Sequence, residues 1–168
     1  NFNKINGGSS VFFVCHNTSK FKSKNKKISN LLYNEKKLGI YDSKKFKIFY
    51  KNIIKDKKRL IDFLNKIKRN KKTIHGYGAS TKGNVLLQFF KIGKKYIDFI
   101  SDRNPQKYSC LTPGTNIKII SEDESRNLKP DYYLVLPWHF KNEILKRENK
   151  IRELGTKFIF PLPSLNIH

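Results

Sequence analysis

The sequence contains no methionine, a single alanine and a single tryptophan. The missing methionine includes a missing initiator, so the chain is expected to continue upstream of Asn1. Cysteine is scarce as well. Cys15 and Cys110 stand far apart and form no CxxC pair, which argues against a disulfide framework and a cysteine zinc site. Two buried or half-buried free thiols are expected instead. No apolar run approaches the ~18–20 residues of a membrane span. Asn1-Phe2-Asn3-Lys4 does not open a secretory signal. A cytoplasmic setting without a membrane partner is therefore expected. The four histidines, His16, His75, His139 and His168, show no metal spacing, so no metal is expected.

Acid is the largest deficit: 13 Asp and Glu stand against 36 Lys and Arg, a formal charge of +23. Such a charge suggests a basic nucleic-acid-binding module. The kind of cation argues against it. There are 30 Lys and only 6 Arg, beside 17 Asn and 19 Ile. Lys, Asn and Ile share AT-rich codons, whereas alanine codons are GC-rich, so an AT-rich genome would produce such a surface without a nucleic-acid partner, a reading set against a selected basic surface. Arginine, the forked donor that reads phosphates and base edges, is rare. No specific nucleic-acid partner is expected.

What is present suffices for one domain with its own core: hydrophobic residues make up 38% and aromatics 13% of 168 residues. Three stretches differ in texture. In residues 1–41, the run Val11-Phe12-Phe13-Val14-Cys15 predicts a strand after the turn Gly7-Gly8-Ser9-Ser10. A Lys/Asn-rich surface loop is expected over 18–30, and the whole stretch reads as the tail of an upstream domain. Residues 42–70 form a linking, packing helix over 42–69, capped by Asp42 or Ser43. Phe46, Phe49, Ile53, Leu60, Leu64 and Ile67 recur at helical spacing. Residues 1–70 hold 19 Lys and Arg and 4 acids, against 17 and 9 beyond.

Residues 71–168 alternate strand and helix. Strands are expected at 73–75, 96–101, 117–120, 132–136 and 157–160. Helices are expected over 81–92, stopped by Gly93, and from 138 or 139 to 154, stopped by Gly155. This predicts a Rossmann-like α/β domain: a parallel sheet with helices on both faces, binding ligand at the carboxyl ends of its strands.

The densest chemical signal is Gly76-Tyr77-Gly78-Ala79-Ser80-Thr81-Lys82-Gly83-Asn84, between a predicted strand and a predicted helix. Glycines permit close backbone approach, and a helix start favours an anion such as a diphosphate. It is not a P-loop, because Asn84-Val85 follows Gly83 and Lys82 precedes it. It departs from the dinucleotide fingerprint, because Gly83 falls two residues late. Asp102, ending the next strand, is placed to accept ribose hydroxyls. Asn104, Lys107 and the turn Pro113-Gly114-Thr115 are candidates to reach a sugar or phosphate. Trp138 and His139, at a strand-to-helix junction, are candidates to cover a ring and donate to a phosphate. Each of these residue sets also has a purely structural use as turn, cap or core. No nucleophile–base pair is identifiable.

Taken in order, Asn6-Gly7-Gly8-Ser9, the long helix, the glycine loop, Asp102-Arg103-Asn104-Pro105-Gln106-Lys107, Thr112-Pro113-Gly114-Thr115, Pro130-Asp131-Tyr132, Leu136-Pro137-Trp138-His139-Phe140 and Phe160-Pro161-Leu162-Pro163 resemble one family. It is the C-terminal domain of SAM-dependent C-methyltransferases that modify nucleotide-linked deoxysugars. The resemblance covers nearly the whole chain. It implies a nucleotide-linked sugar as ligand, and a SAM-binding part and catalytic base upstream of Asn6. It further implies deprotonation beside a sugar ketone, followed by attack of the enolate carbon on the methyl of S-adenosylmethionine. The isolated chain is then expected to be inactive. Two positions depart from the family pattern: Ser109 and Thr156 stand where glycine is usual. From the residues alone, an NAD(P)-binding oxidoreductase domain is the alternative, with a nucleic-acid module behind it.

Overall fold

The computed structural model describes residues 2–3, 8–21 and 25–168. Asn6 and Gly7 of the first motif, and residues 22–24 of the expected loop, lie outside the described residues. The chain divides within its long helix into two compact units, Asn1–Ile54 and Lys55–His168.

In the first unit, β1 (Phe2–Asn3) pairs antiparallel with β2 (Ser9–Ser10). The strand expected at 11–15 is not formed, and Phe12, Phe13 and Val14 are 76%, 87% and 93% exposed. A β-forming run becomes a strand only when a ladder receives it. The loop expected over 18–30 is helical from its later part: α1 spans Asn25–Leu38. Ile28, Leu31, Leu32 and Leu38 keep helical spacing there, masked in the sequence by the lysines between them.

The long helix is α2 (Ser43–Arg69), as expected. Asp42 caps it, its Oδ1 accepting the Lys44 N–H at 2.8 Å. Its apolar stripe is buried only in the second unit. Leu60, Leu64 and Ile67 are buried, whereas Phe46 and Phe49 are exposed.

The second unit is built on a mostly parallel sheet flanked by helices. Its strands are β3 (Ile74–Tyr77), β4 (Ile100–Asp102), β5 (Ile119–Ser121), β6 (Tyr132–Val135) and β7 (Lys157–Phe160), with β8 (Asn166–Ile167) added antiparallel to β7. The order is β5-β4-β3-β6-β7-β8. The helices are α3 (Thr81–Phe90), α4 (Glu122–Asn127), α5 (Lys141–Arg147) and α6 (Asn149–Glu153). Asp131 sets the start of the central pair. Its Oδ2 accepts the Thr73 N–H at 2.8 Å and the Thr73 hydroxyl at 3.0 Å, and its Oδ1 meets Lys72 Nζ at 2.9 Å.

Several sequence expectations are corrected in detail. The strand expected at 96–101 is confined to Ile100–Asp102, because the Tyr96 and Ile97 amides both bond the Gly93 carbonyl in a turn. α3 ends at Phe90 through Lys91, whose φ of 58° is left-handed, rather than at Gly93. The helix expected to run to 154 is broken into a 3₁₀ turn at Trp138–Phe140, then α5, then α6. The α5–α6 break falls at Glu148, whose side chain is buried. α4 and β8 were not anticipated. Three acids behind the capping Ser121 are the signal that marks α4. Both cysteines are exposed, not buried: Cys15 lies in irregular chain and Cys110 in a turn. Ser109 adopts φ 63°, the conformation for which glycine is the unstrained residue. Thr156 follows Gly155 and donates its hydroxyl to the Pro130 carbonyl at 2.9 Å. Among the described residues no helix is long and apolar enough to cross a membrane, and no group of three acidic, His or Cys side chains is arranged to hold a metal.

Strand alternation sends His75 and Tyr77 to one face of the sheet. There Tyr77 joins Tyr133, Val135, Phe158, Phe160 and Ile144 in one apolar cluster. His75 is 3% exposed, with Nδ1 2.7 Å from Ser125 Oγ, which is itself 2.8 Å from the Tyr133 hydroxyl. Burial lowers its pKa from 6.5 to about 4. The unfolded chain therefore binds this proton first as pH falls. The stability associated with neutral His75 is complete above pH 6.5 and is lost progressively towards pH 4. Urea unfolding is expected to show a loss of about 2 kcal/mol between pH 7 and 5, most of which disappears in His75→Gln. An unchanged slope in that variant would remove His75 from the account.

Candidate functional site

β3 is the pivot of the sheet, with β4 on one side and β6 on the other. Chain order reverses between β3 and β6, which is where a doubly wound sheet opens at its carboxyl edge. A cleft of about 680 Å³ lies there, a size suited to a small ligand.

The glycine loop forms the cleft's first wall. Gly78 has φ +81°, and a Cβ on it would lie 2.9 Å from the Pro137 ring, so glycine lets the turn lie against the end of β6. Gly83 serves packing too. A Cβ there would lie 2.5 Å from Leu136 Cβ. Ser80 caps α3, its Oγ accepting the Gly83 N–H at 3.0 Å.

The second wall follows β4. Asp102 is 9% exposed and ties the two loops together. Its Oδ2 accepts the Ala79 N–H at 2.8 Å and meets Lys107 Nζ at 3.1 Å, while Oδ1 accepts the Asn104 N–H at 2.8 Å. Lys107 also donates to the Ala79 carbonyl at 3.0 Å. Asn104 caps the following 3₁₀ turn through its Oδ1, at 3.1 Å from the Gln106 nitrogen. Arg103 lines the cleft between them.

The third wall is one face of the chain around α5: Phe140, Glu143, Ile144 and Arg147. Their spacing of 3, 4 and 7 stacks them along one side of a helix. Beneath this wall lies an ionic cluster. Glu148, 2% exposed, accepts the Tyr77 hydroxyl at 2.7 Å, Arg126 Nη2 at 2.8 Å and Arg147 Nε at 3.2 Å. Glu122 meets Arg126 Nη2 at 3.0 Å and Arg147 Nη2 at 2.9 Å. Arg147 Nη2 also donates to the Tyr77 oxygen. Burial raises the Tyr77 pKa far above its ordinary value, so the phenol stays protonated and is the donor to Glu148. Burial pushes the Glu148 pKa upward, but the bonds from Arg126 and Tyr77 and the two guanidinium charges outweigh it and hold the carboxyl below its ordinary value.

Of the residues anticipated from sequence, Tyr77, Gly78, Ser80, Asp102, Asn104 and Lys107 meet at the cleft. Gly76, Ala79 and Gly83 are buried around it, Thr81 and Lys82 are exposed at the start of α3, and Asn84 is half-buried behind them. The turn of Pro113, Gly114 and Thr115 packs elsewhere: the Pro113 carbonyl accepts Gln88 Nε2 at 2.9 Å near the far end of α3. Trp138 packs against the apolar cluster under the sheet. His139 is half-buried, its pKa lowered first by burial and then by the charge of Lys82. Arg103, Glu122, Phe140, Glu143, Ile144 and Arg147 were not anticipated as site residues. The 3-4-7 spacing of the last four was readable, but nothing in the sequence says that this helix face meets the glycine loop.

The cleft lining brings together directed donors, carboxylate acceptors and an aromatic ring, chemistry that suits a polar ligand. Comparison with known proteins bears on which ligand. A family profile described as C-methyltransferase C-terminal domain matches residues 4–163. The chain is 30% identical over 159 residues to the C-methyltransferase NovU of Streptomyces niveus, covering 95% of this chain and 38% of that relative. The chain thus spans well under half the length of this relative.

Proposed function

Because the chain belongs to the family of C-methyltransferase C-terminal domains, we propose that it is the substrate-holding part of a SAM-dependent C-methyltransferase acting on a nucleotide-linked keto-deoxysugar. The observation that carries this reading is the cleft at the switch point, where Arg103, Lys107 and the Ser80 turn face one polar space. Gly76, Ala79, Thr81, Lys82, Gly83 and Asn84 support that turn. Pro113, Gly114, Thr115, Trp138 and His139 act in this reading through the packing of the loops rather than from the cleft lining.

S-adenosylmethionine supplies the methyl group in this chemistry. The described residues form one glycine-rich strand-to-helix turn, and it opens on the cleft assigned to the sugar nucleotide. No second cradle for a methyl donor is built among them, so no step of methyl transfer is assigned to this chain. The donor and the base belong to the remainder of a longer chain. The exposed Phe12, Phe13 and Val14 support a neighbouring surface of that kind. The boundaries 1–41, 42–70 and 71–168 are proposed as tail, linking helix and ligand domain.

A second reading, binding of a nicotinamide dinucleotide, draws on the strand order, which is that of dinucleotide-binding sheets. Asp102 speaks against it. Its two oxygens already take two backbone N–H groups and the Lys107 ammonium, leaving little capacity for ribose hydroxyls. Thermal melting separates the two. Thymidine diphosphate at ~100-fold above its Kd is expected to add ~2.7 kcal/mol, a rise of roughly 5–10 °C in Tm. NADH and NADPH are expected to add nothing. A shift with the dinucleotides alone would reverse the assignment.

A further inference from the structure

The charges lining the cleft are not paired uniformly. Lys107 meets Asp102 at 3.1 Å and Arg147 meets Glu122 at 2.9 Å. Among the described residues, the side chains of Arg103 and Glu143 line the cleft without an ion pair or hydrogen bond. They stand on different elements. Arg103 follows β4 beside Lys107 and the Ser80 turn. Glu143 lies on α5, one turn after Phe140 and one turn before Arg147.

The two regions suit different chemistry. A phosphate group at the α5 wall meets the carboxylates of Glu122 and Glu143, and the Arg147 charge there is already balanced by Glu122 and Glu148. A hydroxyl-bearing ring meets carboxylate acceptors and a planar donor, because Arg147 Nη1 makes no hydrogen bond among the described residues. It also meets the ring of Phe140, 36% exposed, and Ile144 for its C–H face. At the β4 end the excess is cationic and a phosphate is favoured.

We infer that the ligand lies across the cleft with its phosphates at Arg103 and Lys107 and a hydroxyl-bearing sugar ring on the α5 wall, where Glu143 accepts a ring hydroxyl and Phe140 covers a ring face. This rests on the cleft being a nucleotide-sugar site and adds the direction in which the ligand lies. The ring is either the ribose-type ring of the nucleoside or the hexose beyond the phosphates, and the same experiment tells which.

The test is calorimetric titration of the protein and its Arg103→Ala, Phe140→Ala and Glu143→Gln variants. The probes are inorganic diphosphate, thymidine diphosphate and thymidine diphosphate–glucose. Among the described residues the three side chains make no hydrogen bond, and melting temperatures within a few degrees of the parent establish that each variant folds. Arg103→Ala is expected to weaken all three probes about tenfold. Phe140→Ala and Glu143→Gln are expected to leave inorganic diphosphate unchanged and to weaken the ring-bearing probes about five- to tenfold, the scale of one hydrogen bond or one ring contact. A loss already present with thymidine diphosphate places the nucleoside ring on α5; a loss confined to the glucose conjugate places the hexose there. Equal weakening of inorganic diphosphate by Glu143→Gln, or no weakening of any probe by it and Phe140→Ala, overturns the orientation while leaving the cleft as a nucleotide site. A parent protein that binds none of the probes overturns the nucleotide-sugar reading itself.

Discussion

Replacing Glu148 by alanine is expected to lower the unfolding free energy by about 3–5 kcal/mol, the scale of a buried ion pair broken from one side. The carboxylate is 2% exposed and satisfies Tyr77, Arg126 and Arg147 together. Without it two guanidinium groups and a buried phenol face a cavity, with Glu122 to balance both cations and the exposed Asp123 beside Arg126. Against a total stability of about 5–15 kcal/mol, such a loss is large. Urea unfolding measures it. A paired control sharpens the result: Arg126→Met with Glu148→Leu removes charge from both sides and is expected to restore much of the loss. The pH dependence has a definite sign. The Glu148 pKa is depressed on folding, so its contribution is complete above its ordinary value of 4.5 and is lost as pH falls through the lower folded value. A Glu148→Ala protein as stable as its parent above pH 5 would mean that the cluster is no stabilising unit.

The second large effect is expected from a methyl group. Gly83→Ala puts a Cβ 2.5 Å from Leu136 Cβ, an atom fixed to the backbone at the end of β6. α3 and the sheet must separate, and overpacking of this kind costs about 1–3 kcal/mol. Alanine's better helix propensity returns about 1 kcal/mol at most. The displacement passes directly to Ser80 and Gly78, so the cleft widens as stability falls. Gly93→Ala is the matched control. The nearest atom to its added Cβ is the Thr115 carbonyl oxygen at 3.9 Å, and its φ is ordinary, so no destabilisation is expected. If both alanines melted alike, the close approach at Gly83 would have no energetic consequence.

The two glycines also show how far the sequence could be read. The turn at 76–84 announced itself by composition, and its place between strand and helix was correct. What the glycines do there was not visible: Gly76 and Gly83 make room for Ile100 and Leu136, not for a ligand. Parallel strands were legible because each is a short apolar run between turn residues. The run at 11–15 has the same composition, yet no ladder receives it. Composition marks a strand's candidates, and pairing, which is non-local, selects among them. Asp102 stands out as a candidate by its position after a strand, but its hydrogen bonds come from loops 23 residues away and two residues away. The α5 wall was missed for the same reason. Glu148 even ends the helix that the periodicity would have carried through, because its carboxylate is drawn inward to arginines on two different helices.

Among the described residues, five other than glycine carry left-handed backbone: Lys71, Lys91, Ser109, Asn116 and Lys129. Such a conformation costs an ordinary side chain roughly 1–2 kcal/mol relative to glycine, somewhat less for asparagine. None of the five lines the cleft. The strain of these left-handed side chains is therefore placed at the corners of the fold, apart from the cleft.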